Sequence, residues 1–568
     1  MKYPHMFAPL EIRGVRLKNR ILALELPDRT LDDGSGELTQ SLIDNYEMLA
    51  RGGVAAVTVS QELMQPQNAR QRENLLILTE ALRCHGAVAA YRCVLDPSRM
   101  TETLAVATVR AAAAVSVGCR MLIVSGLFTP DSADADPVDS AASALKALRV
   151  AAGPHVILAL TLDCPEKQLE DYVKFAAMIE TNIDMLIVHA ELPSTEFDDH
   201  GLVLPLCERF KAALRIPVAA AGGFNEPHQI ENAMLAGQCD FVAMSRQLFA
   251  DPQFVRKTAE LREGEIIPCL RCGLCEADAM PNEPFQCTVN PRARREARLA
   301  RIEPVTRPKK VLVVGGGPAG MYAALTAAQR GHTVRLAEKE NRLGGMLWYA
   351  GENSRKTDLR RLRDSLIARV EASGAEICTG KAVGREYIEK YAPDAVILAI
   401  GTEPTLSPIP GMAVFARHAL WAYAEPDKVG KTVVIIGGGL TGLECALHLA
   451  QDGERSITVI ESSPDWAHDA YPAQRAAIER ALSPNISIKT GVRCTEVRPG
   501  GIVYRARNNR RVELSADTVL YAVGMQPRRA ELAELLTAHP NTAVIGDCRE
   551  PGRLLQALRD GLFAAYDI

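Results

Sequence analysis

The chain has 568 residues, 47% of them apolar and 24% charged, with a formal net charge of −4 at pH 7. That length suits three or four domains of ordinary size, and the near-neutral balance argues against nucleic acid or an anionic membrane as a partner. No apolar run has the length a bilayer span needs, and Met1-Lys-Tyr-Pro-His5 opens no signal-peptide pattern, so a cytoplasmic protein is expected. Its 14 cysteines should then be mostly reduced thiols.

From the start to about Leu261, short β-branched apolar runs alternate with helical segments. The runs are Arg20–Leu24, Val54–Ser60, Ala87–Tyr91, Arg120–Ser125, His155–Leu162, Asp184–His189, Ile216–Ala221 and Asp240–Met244. Strands that are continuously apolar are buried on both faces, and βα repetition makes a parallel sheet. Eight such units match a (β/α)8 TIM barrel over residues 1–262, with its chemistry at the C-terminal strand ends. There, Gly222-Gly223 after the seventh strand and Ser245-Arg246 after the eighth form a phosphate cradle: glycines admit an anion to backbone N–H groups, and the arginine adds fixed charge. His189 and Glu191 end the sixth strand on one face, and the carboxylate is expected to raise the histidine's pKa and make it a proton donor. Glu25, Tyr91 and Arg92 are further candidates at strand ends.

Residues 263–300 hold Cys269-Leu-Arg-Cys272-Gly-Leu-Cys275 and Cys287-Thr-Val-Asn-Pro291. Four soft ligands in a C-x2-C-x2-C-x11-C pattern suit an iron–sulfur cluster or a structural zinc, and close pairs could also form disulfides. The other ten cysteines are single and read as small core residues.

After a charged linker, Lys310-Val-Leu-Val-Val runs into Gly315-Gly-Gly317-Pro-Ala-Gly320, a helix follows, and Val334–Ala337 ends in Glu338. Gly315 makes the turn, Gly317 lets backbone approach a pyrophosphate, Gly320 lets helix pack on strand, and Glu338 meets ribose hydroxyls. The unit repeats at Gly437, Gly439 and Gly442, with Glu461 at its second strand end. A carboxylate there, followed by Ser462-Ser463 without arginine, favours NADH over NADPH.

These features carry a resemblance. Met6-Phe-Ala-Pro-Leu-Glu-Ile-Arg-Gly-Val-Arg-Leu-Lys-Asn19-Arg20-Ile, Ala50-Arg-Gly-Gly-Val54, Ile216-Pro-Val-Ala-Ala-Ala-Gly222-Gly223 and Met244-Ser-Arg-Gln-Leu-Phe-Ala-Asp-Pro252 resemble the Old Yellow Enzyme family. With the cysteine stretch and both glycine loops, the whole chain resembles the branch containing flavin-dependent 2,4-dienoyl-CoA reductase and trimethylamine dehydrogenase. That branch implies FMN in the barrel, then a [4Fe–4S] cluster on Cys269, Cys272, Cys275 and Cys287, then FAD and an NAD(P)H-binding domain. The nested loops also resemble disulfide-reductase-like flavoproteins, implying an FAD domain over 301–402 and 525–568 with an NAD(P)H domain over 403–524. By the same resemblance Gly344-Gly345 meets the FAD pyrophosphate, Gly401 closes the first part of the FAD domain, and Gly546-Asp547 reaches the flavin's ribityl chain. No redox cysteine pair follows the FAD helix.

The sequence departs from the family inside the barrel. Val124-Ser125-Gly126-Leu127-Phe128 stands where a His/His or His/Asn pair grips a substrate carbonyl. Thr161 or Leu162 falls at the basic residue near the flavin, Tyr91-Arg92 at the usual glutamine, and Asp131–Asp136 replaces an arginine-bearing segment. The expected function is an ene-reductase passing electrons from NADH to FAD, to the cluster, to FMN and on to an activated C=C bond of a small molecule. The alternatives are an electron-transfer, diaphorase-like subunit with a non-catalytic barrel and a C–N-oxidising amine dehydrogenase. Homo-oligomerisation or an electron-transfer partner protein is compatible with either.

Overall fold

The computed structural model describes residues 2–25, 38–60, 69–128, 136–190, 195–275 and 286–568, apart from 294, 296–298, 300, 301 and 354. Strands β1 (Leu10–Ile12) and β2 (Val15–Leu17) form an antiparallel hairpin. Eight parallel strands then close a barrel: β3 (Ile21–Ala23), β4 (Ala56–Val59), β5 (Val88–Val94), β6 (Met121–Ser125), β7 (Ile157–Cys164), β8 (Met185–Ala190), β9 (Val218–Ala221) and β10 (Phe241–Met244), with β10 pairing back onto β3. All eight expected strands form, in order.

Two cores explain why the strands are apolar throughout. Inside the barrel, small Ala56, Ala90, Ala159, Ala219 and Ala243 interleave with Leu22, Ile123, Ile187 and Phe241. The alternate residues, among them Val57, Leu122, Leu160, Val188 and Val242, pack under the surrounding helices. Leu17 joins the inner core, so the hairpin plugs the end of the barrel opposite the mouth. A filled interior leaves only the mouth for ligands.

The second half holds two parallel five-stranded sheets. The first has the order β13 (Glu376–Cys378), β12 (Thr333–Ala337), β11 (Lys310–Val314), β14 (Ala395–Leu398), β25 (Thr542–Val544). The chain leaves through β15 (Thr402–Pro404) and returns through β24 (Met525–Pro527), which pair antiparallel. Between them lies the second sheet, β16 (Arg417–His418), β23 (Thr518–Tyr521), β17 (Thr432–Ile436), β18 (Ser456–Glu461), β19 (Ile486–Thr490), beside a three-stranded ribbon, β20 (Arg493–Arg498), β21 (Gly501–Arg505) and β22 (Arg511–Ser515). The barrel is keyed into this half by its own loop after β8: Phe197 is buried in the core of the second unit. Among the described residues, no helix is long and apolar enough to cross a membrane.

Candidate functional site

Strand alternation sorts the residues of the barrel mouth. Ala90, Ile123, Ala159 and Ile187 face inward, and continuing those sets upward brings Arg92, Ser125, Thr161, Asp163 and His189 around the inside of the mouth. Asp163 and His189 are register partners on β7 and β8. Burial lowers the His189 pKa below its ordinary 6.5; the Asp163 charge offsets part of this and the Arg92 charge adds to it. Burial thus outweighs the Asp163 carboxylate, while Glu191, the carboxylate expected to raise the pKa, lies outside the described residues. At pH 7 the imidazole is neutral, with an N–H on one ring nitrogen.

Tyr91 and Phe128 depart from expectation. Tyr91 is 1% exposed and packs in the layer under the helices, so it does not reach the mouth; its neighbour Arg92 does. Glu25 lies two residues past the end of β3, half-buried at the rim. Glu191 and residues 131–135 lie outside the described residues. Phe128 turns outward, stacked on Phe175 at 4.0 Å and edge-on to Tyr172 at 4.9 Å. The turn depends on Gly126, whose φ is +77° and where a Cβ would sit 2.0 Å from the Leu95 carbonyl oxygen.

The polar edge of a flavin would answer two unpaired hydroxyls at the mouth. The hydroxyls of Ser125 and Thr161 are buried with no hydrogen-bond partner among the described residues, which is costly unless a ligand supplies one. Leu162 faces the helix layer instead. Beside the mouth, Gly222 (φ +96°) and Gly223 (φ +80°) line one small cavity with Ser245 and Arg246. A Cβ on Gly222 would meet nothing within 4 Å, so the backbone is open to an anion. Cys269 and Arg271 line the same cavity, so the cysteine loop lies against the expected phosphate cradle.

The four cysteines gather as their spacing suggests. Cys269, Cys272 and Cys287 all act electrostatically on Cys275, and none of the fourteen cysteines forms a disulfide. Burial pushes the Cys269 thiol up to about 11, and raises Cys272, Cys275 and Cys287 as well. Backbone N–H groups nevertheless point at sulfur, from Arg271 to Cys269 at 3.4 Å, from Leu274 to Cys272, and from Val289 and Asn290 to Cys287. Buried thiols surrounded by N–H donors are the donor set that a metal–thiolate centre uses, since the metal charge compensates the sulfurs.

The first glycine loop opens on a cleft of about 420 Å³ whose walls include Gly315, Gly317, Gly345, Gly401 and Asp547. Nothing lies within 4 Å of a Cβ built on Gly317, whereas one on Gly320 would meet the Gly315 carbonyl oxygen at 1.9 Å. Gly344 and Gly546 take positive φ at bends near the cleft. Burial raises the Asp547 pKa, a neighbouring Asp560 charge raises it further, and the Gly552 N–H lowers it. Glu338 does more than its spacing suggested: its oxygens accept from the Gly316 N–H at 2.6 Å and the Glu340 N–H at 2.8 Å, pinning the loop it serves. Glu461 repeats this with the N–H groups of Gly438 and Ser463, both at 2.6 Å.

The two units differ at their helix N-termini. In the second, beside Gly439, Asp469 accepts from the Leu440 N–H at 3.0 Å, the place a dinucleotide phosphate takes in such loops. Gly437 and Gly442 repeat the close packing of the first loop. Asp469→Asn is expected to tighten NADH binding about fivefold, one charge at a helix N-terminus being worth about 1 kcal/mol. Calorimetric titration checks this, and equal or weaker binding would refute it.

The comparisons agree with this division. Residues 309–557 match the family model described as pyridine nucleotide-disulphide oxidoreductase. That module is the second half of the chain, and the proteins the chain is similar to include a multifunctional alkene reductase/demethylase of Caballeronia cordobensis, at 28% identity over 57% of this chain and 48% of that protein. The chain is 36% identical over 379 residues to an NADH oxidase of Thermoanaerobacter brockii, covering 65% of this chain and 58% of that protein. It is 31% identical over 377 residues to a cinnamate reductase of Clostridium sporogenes, covering 66% and 56%. The matched region thus spans less than two thirds of either relative. The fold is shared over the full length with a solved 2-naphthoyl-CoA reductase, at TM-score 0.90 and 23% identity.

Proposed function

We propose that the chain is an NADH-dependent flavin and iron–sulfur oxidoreductase that reduces an activated C=C bond of a small molecule, in the electron order NADH, FAD, [4Fe–4S], FMN. The observation that carries the reading is the single cavity walled by the phosphate cradle and by Cys269, which puts the cysteine loop beside the barrel's ligand site. The named relatives, an NADH oxidase and a cinnamate reductase, support the chemistry. When bound, these groups supply hydride and single-electron transfer.

The chain's own residues supply placement and charge. Gly222, Gly223, Ser245 and Arg246 hold the FMN phosphate, and the Ser125 and Thr161 hydroxyls meet polar edges deeper in the mouth. Cys269, Cys272, Cys275 and Cys287 ligate the cluster. Gly315, Gly317, Gly345 and Asp547 hold FAD; Gly437, Gly439, Gly442 and Glu461 hold NADH. At the mouth, neutral His189 donates its N–H to a substrate carbonyl, Asp163 orients the ring, and Arg92 stabilises negative charge developing on the oxygen.

His189→Ala is expected to lower kcat about 10²–10³-fold, the usual loss for one such donor, with His189→Gln losing less because an amide N–H remains. Since burial holds the folded His189 pKa below 6.5, the neutral imidazole predominates above that pH, and this donor is expected to add no pH dependence to the rate between pH 6.5 and 8. Steady-state kinetics with cinnamate-type enoates, enones and acyl-CoAs checks both. Equal loss in the two variants would remove His189 from this role.

One observation favours a second reading, an electron-transfer subunit with a non-catalytic barrel: Ser125 and outward-turned Phe128 occupy the expected carbonyl grip. Full electron transfer to a partner in the His189→Ala protein would support it. An amine dehydrogenase would need aromatic side chains at the mouth to hold a substrate cation, whereas Tyr91 and Phe128 pack in the helix layer.

A further inference from the structure

The cysteine loop is tied to both halves of the molecule by one buried polar junction. Arg271, between the first two cluster cysteines, is 4% exposed and held at a φ of +55°. Its guanidinium donates to Asp358 at 3.0 Å and to the Asp198 carbonyl at 2.8 Å. Asp358 lies in the first turn of helix Thr357–Glu371 of the first nucleotide unit. Its other oxygen accepts from the Asn225 amide at 2.8 Å, and that same amide donates to the Cys269 carbonyl at 2.9 Å. His200 completes the circuit, with Nε2 3.1 Å from Asp358 and Nδ1 donating to the Gly223 carbonyl of the phosphate cradle at 2.9 Å. One carboxylate therefore meets groups from the cysteine loop and the barrel while sitting on the nucleotide half.

His200, Glu226 and Asp358 bring ligand-type atoms within 4.8 Å of one another, but this is no cation site. Arg271 already pairs with Asp358, and Arg361 with Glu226 and Asp358, and two guanidinium groups repel a metal ion. Burial raises the Asp358 pKa, but the His200 hydrogen bond, the Arg271 and His200 charges and the Asn225 hydrogen bond outweigh it and hold the carboxyl at about 2, so it stays charged.

We propose that Asp358 is a positioning residue for electron passage between the nucleotide units and the barrel, locking Arg271 and, through Asn225, the Cys269 carbonyl, so that the cysteine loop keeps one seat against the phosphate cradle. The proposal rests on reading the four cysteines as cluster ligands. Two electrons from one NADH cross this seat one at a time, with protons exchanged with solvent. Groups outside the ligand set orient ligands in this way.

The test uses the full-length protein, purified anaerobically as wild type, Asp358→Asn and Asp358→Glu. Iron and acid-labile sulfide, the electron paramagnetic resonance spectrum after reduction, and stopped-flow reduction of each flavin by NADH are measured. Asp358→Asn is expected to keep full iron and the wild-type rate of the first flavin phase. Its resonance spectrum shifts, and the second flavin phase slows about tenfold or more, with partial rescue in Asp358→Glu. An unchanged spectrum and second phase at full iron would overturn the proposal alone. Parallel loss of iron and of the first phase would make Asp358 merely structural and also overturn it. Wild-type protein without iron would overturn the underlying reading and the proposal with it.

Discussion

Cys269→Ser protein is expected to lose most of its iron and nearly all alkene reduction, while NADH still reduces the flavin of the first nucleotide unit. Serine offers iron a hard, weakly acidic hydroxyl in place of a thiolate. Metal affinity should fall by well over about 100-fold, since groups outside the ligand set alone are worth about 10–100-fold. The site gives this substitution unusual reach. Cys269 is buried, its carbonyl takes the Asn225 amide, and its wall of the cavity faces Gly222 and Arg246. Iron analysis with absorbance during NADH titration measures both parts. Full iron and unchanged turnover would remove the cluster from the electron path, and loss of first-flavin reduction would place the cysteines upstream of FAD instead.

Lys356→Met should destabilise the assembled chain by about 3–5 kcal/mol, the range for breaking a buried ion pair by removing one partner. The Lys356 ammonium pairs with Glu444 on the second unit's fingerprint helix and lies 3.4 Å from Glu196 on the barrel loop after β8. Burial works against the ammonium, yet the Glu196 and Glu444 carboxylates hold its pKa above the ordinary 10.5. Removing it leaves two buried acids with no counter-charge, so adding Glu444→Gln should restore part of the loss. Thermal unfolding of the single and double variants measures this. A shift within error for Lys356→Met would show that the acids are solvated and that this contact does not hold the three parts together.

Much of this architecture was legible because the signals are local. Continuous apolar runs, the glycine spacing around Gly315 and Gly437, and the cysteine spacing each reflect neighbours along the chain, and the barrel, both nucleotide folds and the gathered thiols follow. The orientation of side chains at the mouth was less legible. Tyr91 and Arg92 are adjacent, and only the true register of β5, running on to Val94, shows which of them faces inward. The surroundings of His189 were less legible for a related reason. Asp163 is its register neighbour on β7, 26 positions away, and only the pairing of β7 with β8 brings it there.

By itself, then, the sequence determined the order of parts, the gathered cysteines and the two glycine-loop folds, because short-range periodicity and backbone sterics set them. Tertiary structure alone decided the neutral state of His189, through burial that no local pattern measures. It likewise decided the shared wall between the phosphate cradle and Cys269 and the junction at Asp358. These contacts join residues up to 158 positions apart, as between His200 and Asp358, and arise only when three independently patterned units pack together.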